Sequence, residues 1–239
     1  MIDGILIIDK PEGISSARVV FKIKKTLNLK KVGHTGTLDP FASGLLLICL
    51  NHATKKAGYF TDLDKTYLGT MILGISTDTQ DLTGKVVKVN PIKQNNIEIK
   101  DIENAFQKFQ GDIWQTPPMF SAIKSRGKPL YQLARKGIEI KVAPRKVIIF
   151  KLNLLAMSWN KYPAISFMVQ SSKGTYIRTL CQDIGDYLGC GAYLAKLKRI
   201  KIGNISIEQS MPLDSFLKLS EEEQKTLILS SNLTALNII

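Results

Sequence analysis

Cysteine and histidine are scarce in this chain of 239 residues. The cysteines, Cys49, Cys181 and Cys190, are scattered, odd in number and form no CxxC pair, and the only histidines are His34 and His52. A disulfide framework or a structural zinc site is therefore not expected, and a reducing cytoplasm is the default compartment. Long hydrophobic runs are missing as well. The longest, LLLICL, is far too short to span a membrane, and the N-terminal MIDGILII carries an acid where an export signal needs positive charge. Acidic residues are also in short supply, 20 against 33 Lys and Arg, giving a formal net charge of +13. That surplus suits a polyanionic partner, nucleic acid or an anionic membrane surface. What remains has the balance of a soluble globular protein, 44% hydrophobic and 22% charged, long enough for one large or two small domains.

The positive charge is clustered. Residues 121–151 hold nine basic residues against a single acid, Glu139, and KLKRIK at 196–201 has four basic residues and no acid. Clustering of one sign on short stretches favours a binding surface over general solubility, and phosphate contacts there would make binding salt-dependent.

Along the chain, GILIID (4–9) reads as a buried strand ending at the KPEG turn, and SSARVVFKIKKTLN as a helix capped by Ser15 or Ser16. A loop at 30–43 leads into a strand, GLLLICL, and a short helix is expected through ATKKAGYF. Residues 65–89 read as a hairpin with a long turn, STDTQDLTG. Residues 98–110 form a helix with Ile99, Ile102, Phe106 and Phe109 on one face. QTPPMFSAIKSRGKPL, punctuated by Pro and Gly, is an exposed basic excursion leading into the helix LYQLARKG. Strands follow at 145–158 and 164–171, then the periodic helix TYIRTLCQDIGDYLG, a closing pair of strands in GAYLAKLKRIKIGNIS, and a last helix at MPLDSFLKL. Strands and helices mixed without a βαβ cadence predict an α+β protein: a mixed, mainly antiparallel sheet flanked by helices, with an inserted basic loop and helix.

Within GHTGTLDP (33–40), Asp39 is a lone acid between glycines and beside Leu38 and Phe41. Asp before Pro is an N-cap signature, which offers a purely structural reading. The alternative is an acid, base or nucleophile projected by a turn into which another molecule can approach closely. Arg178, near the start of a helix whose dipole disfavours positive charge, needs either water or an acidic partner. Asp39 is one candidate for that partner.

GHTGTLDP, the upstream GILIIDKPEGISS, the central DKTY and the downstream SSKGTYIRTLCQDIG…LGCGAYLAKLKR together resemble the TruB family of tRNA pseudouridine synthases, over residues 4 to about 212. The resemblance implies isomerisation of a T-loop uridine, position 55 in tRNA numbering, to pseudouridine, with no cofactor and no metal. Asp39 matches the family's essential aspartate. Tyr67 matches the tyrosine that stacks on the flipped base, and Tyr176 and Arg178 the pocket tyrosine and the arginine that pairs with the aspartate. Leu197 matches an apolar residue near the base, and His34 the histidine that fills the space the uridine leaves. Lys10 is expected to support the pocket. Lys124, Arg126 and Lys128 lie in an insertion, about residues 112–140, expected to close over the T arm. The implied layout is a catalytic domain at 1–212 and a short extension at 213–239 without the PUA module of many relatives. The implied partner is tRNA, met through its T arm by a monomer that needs no membrane and no protein partner. A non-catalytic tRNA-binding protein and a guide-RNA-dependent synthase subunit are the competing readings.

Overall fold

The computed structural model describes residues 2–92, 97–125 and 127–230. In chain order the elements begin with β1 (Gly4–Lys10), α1 (Ser16–Thr26), β2 (Val32–His34), β3 (Ser43–Leu50), a 3-10 turn (Asn51–Lys56), α2 (Ala57–Asp62) and β4 (Lys65–Leu73). Next come β5 (Ile75–Thr77), β6 (Val86–Val89), α3 (Ile99–Lys108), β7 (Gly111–Gln115), β8 (Lys124–Ser125), β9 (Lys128–Pro129) and α4 (Leu130–Ala134). The chain closes with β10 (Arg145–Ser158), β11 (Ala164–Ser171), α5 (Ile177–Tyr187), β12 (Ala192–Ile202), β13 (Ile205–Ser206), β14 (Met211–Pro212), α6 (Leu213–Phe216) and α7 (Glu221–Thr226). These form two compact units, 1–68 with 197–239, and 69–196; β4 and β12 each run from one unit into the other.

In the first unit β1 pairs antiparallel with β3, from Gly4↔Leu50 to Lys10↔Gly44, and β14 runs parallel beside β1. Both faces of this pair are covered. Leu6, Ile8, Leu46 and Ile48 pack on Val19 and Ile23 of α1 and on Phe216, while Ile5, Ile7, Leu45 and Leu47 pack on Phe60 and Ile202. That double burial is why both strands read as unbroken apolar runs rather than alternating ones. Ser15 caps α1 by accepting the Arg18 N–H.

The second edge of β3 is shared. Residues 48–50 pair antiparallel with β2, and residues 43–44 pair parallel with β12 through Lys198↔Ser43 and Arg199↔Gly44. The loop 35–42 springs from the place where one partner leaves and the other arrives. Gly44 is obligatory there. Its φ is +106°, and a Cβ would lie 2.7 Å from the Arg199 nitrogen and closer still to the Arg199 carbonyl oxygen.

In the second unit β10 is flanked by β11 and β7, both antiparallel, with β4 on the far side of β11. Ile165, Phe167 and Val169 alternate inward, and Phe106 of α3 meets Phe167 edge-on. The mixed, mainly antiparallel sheet flanked by helices is as expected from the sequence. Three local expectations fail. Residues 65–89 do not form one hairpin: at Gly74 (φ +84°) the chain turns, its N–H goes to the Gly191 carbonyl, and β5 and β6 make a separate two-stranded ribbon. Ile99 is 51% exposed, because it opens α3 ahead of the face that Ile102 and Phe106 bury. The last predicted helix shrinks to the four residues of α6, and α7 follows it, capped by Ser220.

Candidate active site

Asp39 caps no helix. Its carbonyl accepts the Ala42 N–H to close a tight turn, and β3 starts at Ser43. The half-buried carboxylate therefore stands on a loop, and the loop is fixed at four residues. The buried Ser16 hydroxyl accepts the Leu38 N–H and donates to the Leu38 carbonyl, both at 2.9 Å. On the other side of Asp39, the Pro40 carbonyl accepts the Gly13 N–H (2.7 Å) and the Lys10 ammonium (3.4 Å). Further back, Thr35 N–H donates to Leu47 O, and the Arg199 guanidinium donates to Gly36 O (3.1 Å) and, through Nε, to Leu45 O (2.7 Å). The carbonyls of Leu45 and Leu47, which neither β2 nor β12 reaches, are satisfied in this way.

Lys10 is fully buried, donating also to the Pro11 and Ile14 carbonyls at 2.8 Å each. Burial pushes its pKa down to about 8, against the pull of the Asp39 carboxylate, and the Arg199 charge adds to the depression. Arg199 is 1% exposed. Burial works against its charge, and a hydrogen bond to the Tyr67 hydroxyl works for it. His34, at the end of β2, is kept neutral by burial and by the Arg199 charge, and its buried Nδ1 has no hydrogen-bond partner among the described residues. Tyr67 and Leu197 are both buried, on β4 and β12. One carboxylate, an ammonium, a guanidinium, a phenol and a neutral imidazole are thus tied into one frame in the first unit. This arrangement suits acid–base or nucleophilic chemistry at a single carboxylate.

The remaining expected residues lie in the second unit. Arg178, 4% exposed, forms an ion pair with Asp81 (3.6 Å) and donates to the Phe120 carbonyl at 2.6 Å. Asp81 is buried too and accepts from Thr79 Oγ1, Thr83 N–H and Thr83 Oγ1 at 2.6–2.9 Å. Tyr176 is pinned through its backbone by the Gln115 amide (2.7 and 3.1 Å), and the guanidinium carbons of Arg145 and Arg178 stand 5.0 and 5.6 Å from its ring centre. Lys124 and Lys128 are exposed on the β8–β9 ribbon. Arg126 lies outside the described residues.

Sequence reasoning missed Ser16, Asp81, Gln115 and Arg199 as site residues. For Arg199 a signal existed. In KLKRIK the strand period puts Lys196 and Lys198 outward and Leu197 and Arg199 inward, so the run is not uniformly a solvated face.

Comparison with known proteins gives this frame a lineage. Residues 24–177 match the TruB family pseudouridylate synthase N-terminal domain, and residues 178–236 the tRNA pseudouridylate synthase B C-terminal domain. The tRNA pseudouridine synthase B of Bordetella avium is 44% identical over 229 residues, covering 96% of this chain and 93% of that protein. That of Clostridium kluyveri is 48% identical over 212 residues, covering 89% and 71%. Among solved structures, a chain in the crystal structure of a Cbf5-Nop10-Gar1 complex aligns with a TM-score of 0.73 at 28% identity, over 96% of this chain and 60% of that one. The fold and its motifs are those of a pseudouridine synthase. The chain belongs to the TruB family of pseudouridylate synthases.

Proposed function

We propose that this protein converts a uridine of the tRNA T loop, position 55, to pseudouridine. The observation that carries the reading is the Asp39 loop, held on both sides of the acid by Ser16, Gly13 and Lys10. The reaction breaks the C1′–N1 bond, turns the base, joins C1′ to C5 and moves the C5 proton away as N1 gains one. Attack at C1′ and removal of the 2′ proton both need an ionised carboxylate at the ribose, and neither needs a second carboxylate or a water, unlike glycoside hydrolysis.

The target base has to leave the stack. His34, neutral and poor in hydrogen bonds, suits the space the uridine vacates, because a flat uncharged ring stacks on the neighbouring bases. Tyr67 stacks on the everted base and takes the C5 proton. Its oxygen accepts from the Arg199 guanidinium, which fixes where the ring hydroxyl stands. Leu197 supplies an apolar wall. Tyr176 and Arg178 are assigned to substrate binding, with Arg178 held in place by Asp81 and the Phe120 carbonyl. Lys124, Arg126 and Lys128 meet T-arm phosphates, on a catalytic domain at 1–212 that works as a cytoplasmic monomer without a cofactor or protein partner.

The test is release of tritium from tRNA carrying 5-tritiated uridine, with no other macromolecule present. Asp39→Asn should bind tRNA as the parent does and release none. Turnover by that variant would overturn the assignment. Inactivity of the parent protein on bare tRNA would favour the guide-RNA reading instead.

A further inference from the structure

Between Gly13 and Leu38 the chain holds six basic residues, Arg18, Lys22, Lys24, Lys25, Lys30 and Lys31, and no acid. Helix α1 buries Ser16, Val19 and Ile23 on one side. Arg18, Lys22 and Lys25 recur at helical spacing on the opposite side, with the Arg18 guanidinium 5.1 Å from the ring centre of Phe21, itself 53% exposed. Lys30 and Lys31 are exposed in the short link to β2, against which α1 packs. Among the described residues none of the six basic side chains meets a carboxylate.

The helix itself gains little from this arrangement. Lys24 and Lys25 suit its C-terminal end, but Arg18 lies in its first turn, where the dipole opposes positive charge and where no acid is present. The stripe continues through Lys30 and Lys31 into β2, a strand whose last residue is His34.

From this we propose that α1 and residues 30–31 form a phosphate track, binding the ribose-phosphate backbone of the tRNA strand next to the everted nucleotide. Phe21 offers a face on which an unpaired base can stack. The inference rests on the reading of His34 and Asp39 as the base-flipping site. An anionic lipid surface would also meet the charge. RNA is favoured because the stripe is continuous with the strand that carries His34.

The experiment is equilibrium binding of unmodified tRNA as a function of salt. Combined Arg18→Gln, Lys22→Gln, Lys25→Gln and Lys30→Gln should lower the slope of log affinity against log salt by roughly 3, at ~0.7–0.9 per phosphate contact. Lys100→Gln with Lys218→Gln, both exposed elsewhere, should leave it unchanged. A smaller variant outside the helix, Lys30→Gln with Lys31→Gln, should lower it by roughly 1.5 and is immune to loss of helix folding. An unchanged slope in the fourfold and twofold variants overturns the track, and an equal fall in the Lys100/Lys218 control does the same. So does an unchanged tRNA slope accompanied by lost binding to phosphatidylserine vesicles. If the parent protein binds tRNA with the expected slopes yet makes no pseudouridine, the functional assignment fails and the track stands. If it makes pseudouridine with unchanged slopes, the track alone fails.

Discussion

Ser15 and Ser16 are neighbours with different tasks, and replacing each by alanine separates folding from catalysis. Ser16 sits inside the first turn of α1, so Ser16→Ala removes no cap. It strips the Leu38 N–H and C=O of a partner held at 2.9 Å on each side. Each unsatisfied buried group costs about 1–3 kcal/mol, while helix propensity returns about 0.5 kcal/mol to alanine. A rigid loop would thus lose about 1.5–5.5 kcal/mol of stability. A loop that shifts to find water keeps more of its stability, but Asp39 moves with it, and a displacement near 1 Å costs about a hundredfold in rate. The loss appears in the urea midpoint, in the single-turnover rate at saturating tRNA, or in both. Ser15→Ala removes the bond from the Arg18 N–H, about 1 kcal/mol of capping, and should leave that rate unchanged. If Ser16→Ala changes stability by less than about 0.5 kcal/mol and the rate by less than twofold, the buried bonds to Leu38 do not set the Asp39 loop.

Lys10 gives a pH signature. Its folded pKa of about 8 lies below its ordinary 10.5, so between those values the unfolded chain binds the extra proton and this residue's contribution to stability rises with pH. Over the same range the rate should fall, as Asp39 and the Pro40 carbonyl lose the ammonium. In Lys10→Met the rise in urea midpoint from pH 8 to pH 10 should vanish, and persistence of the full rise would assign it to another group. Gly44→Ala should cost at least about 3 kcal/mol from strain and overlap with the Arg199 backbone. Gly58→Ala, with open space around a helical position, should gain about 0.5–1 kcal/mol, and thermal melts of the two should move in opposite directions. Asp81→Ala removes a buried carboxylate that pairs with Arg178 and should cost about 3–5 kcal/mol in urea, far more than loss of an exposed ion pair such as Lys146–Asp112.

What could be read from the sequence is what is local. β10 and β11 begin and end where predicted, because alternation and the flanking Gly, Pro and Ser act within a few residues. α1 carries its cap in the residue before it. Asp39 stood out because Gly, Pro and a carboxylate crowd into eight positions. The supports of Asp39 come from elsewhere in the chain. Ser16 reaches the neighbouring Leu38 across 22 residues and Arg199 reaches Gly36 in the same loop across 163, and no periodicity encodes such pairs. Asp81 was hidden differently. STDTQDLTG has the composition of a surface turn, yet its threonine hydroxyls and backbone amides turn inward to solvate one buried acid. Only the fold shows on which side of the turn the water is.

Arg199 gives the site a schedule. The carbonyls of Gly36 and Leu45 leave the ribosome more than 150 residues before the guanidinium that binds them. A nascent chain that ends short of β12 holds the acid but not its clasp, so the Asp39 loop is locked only once β12 has emerged.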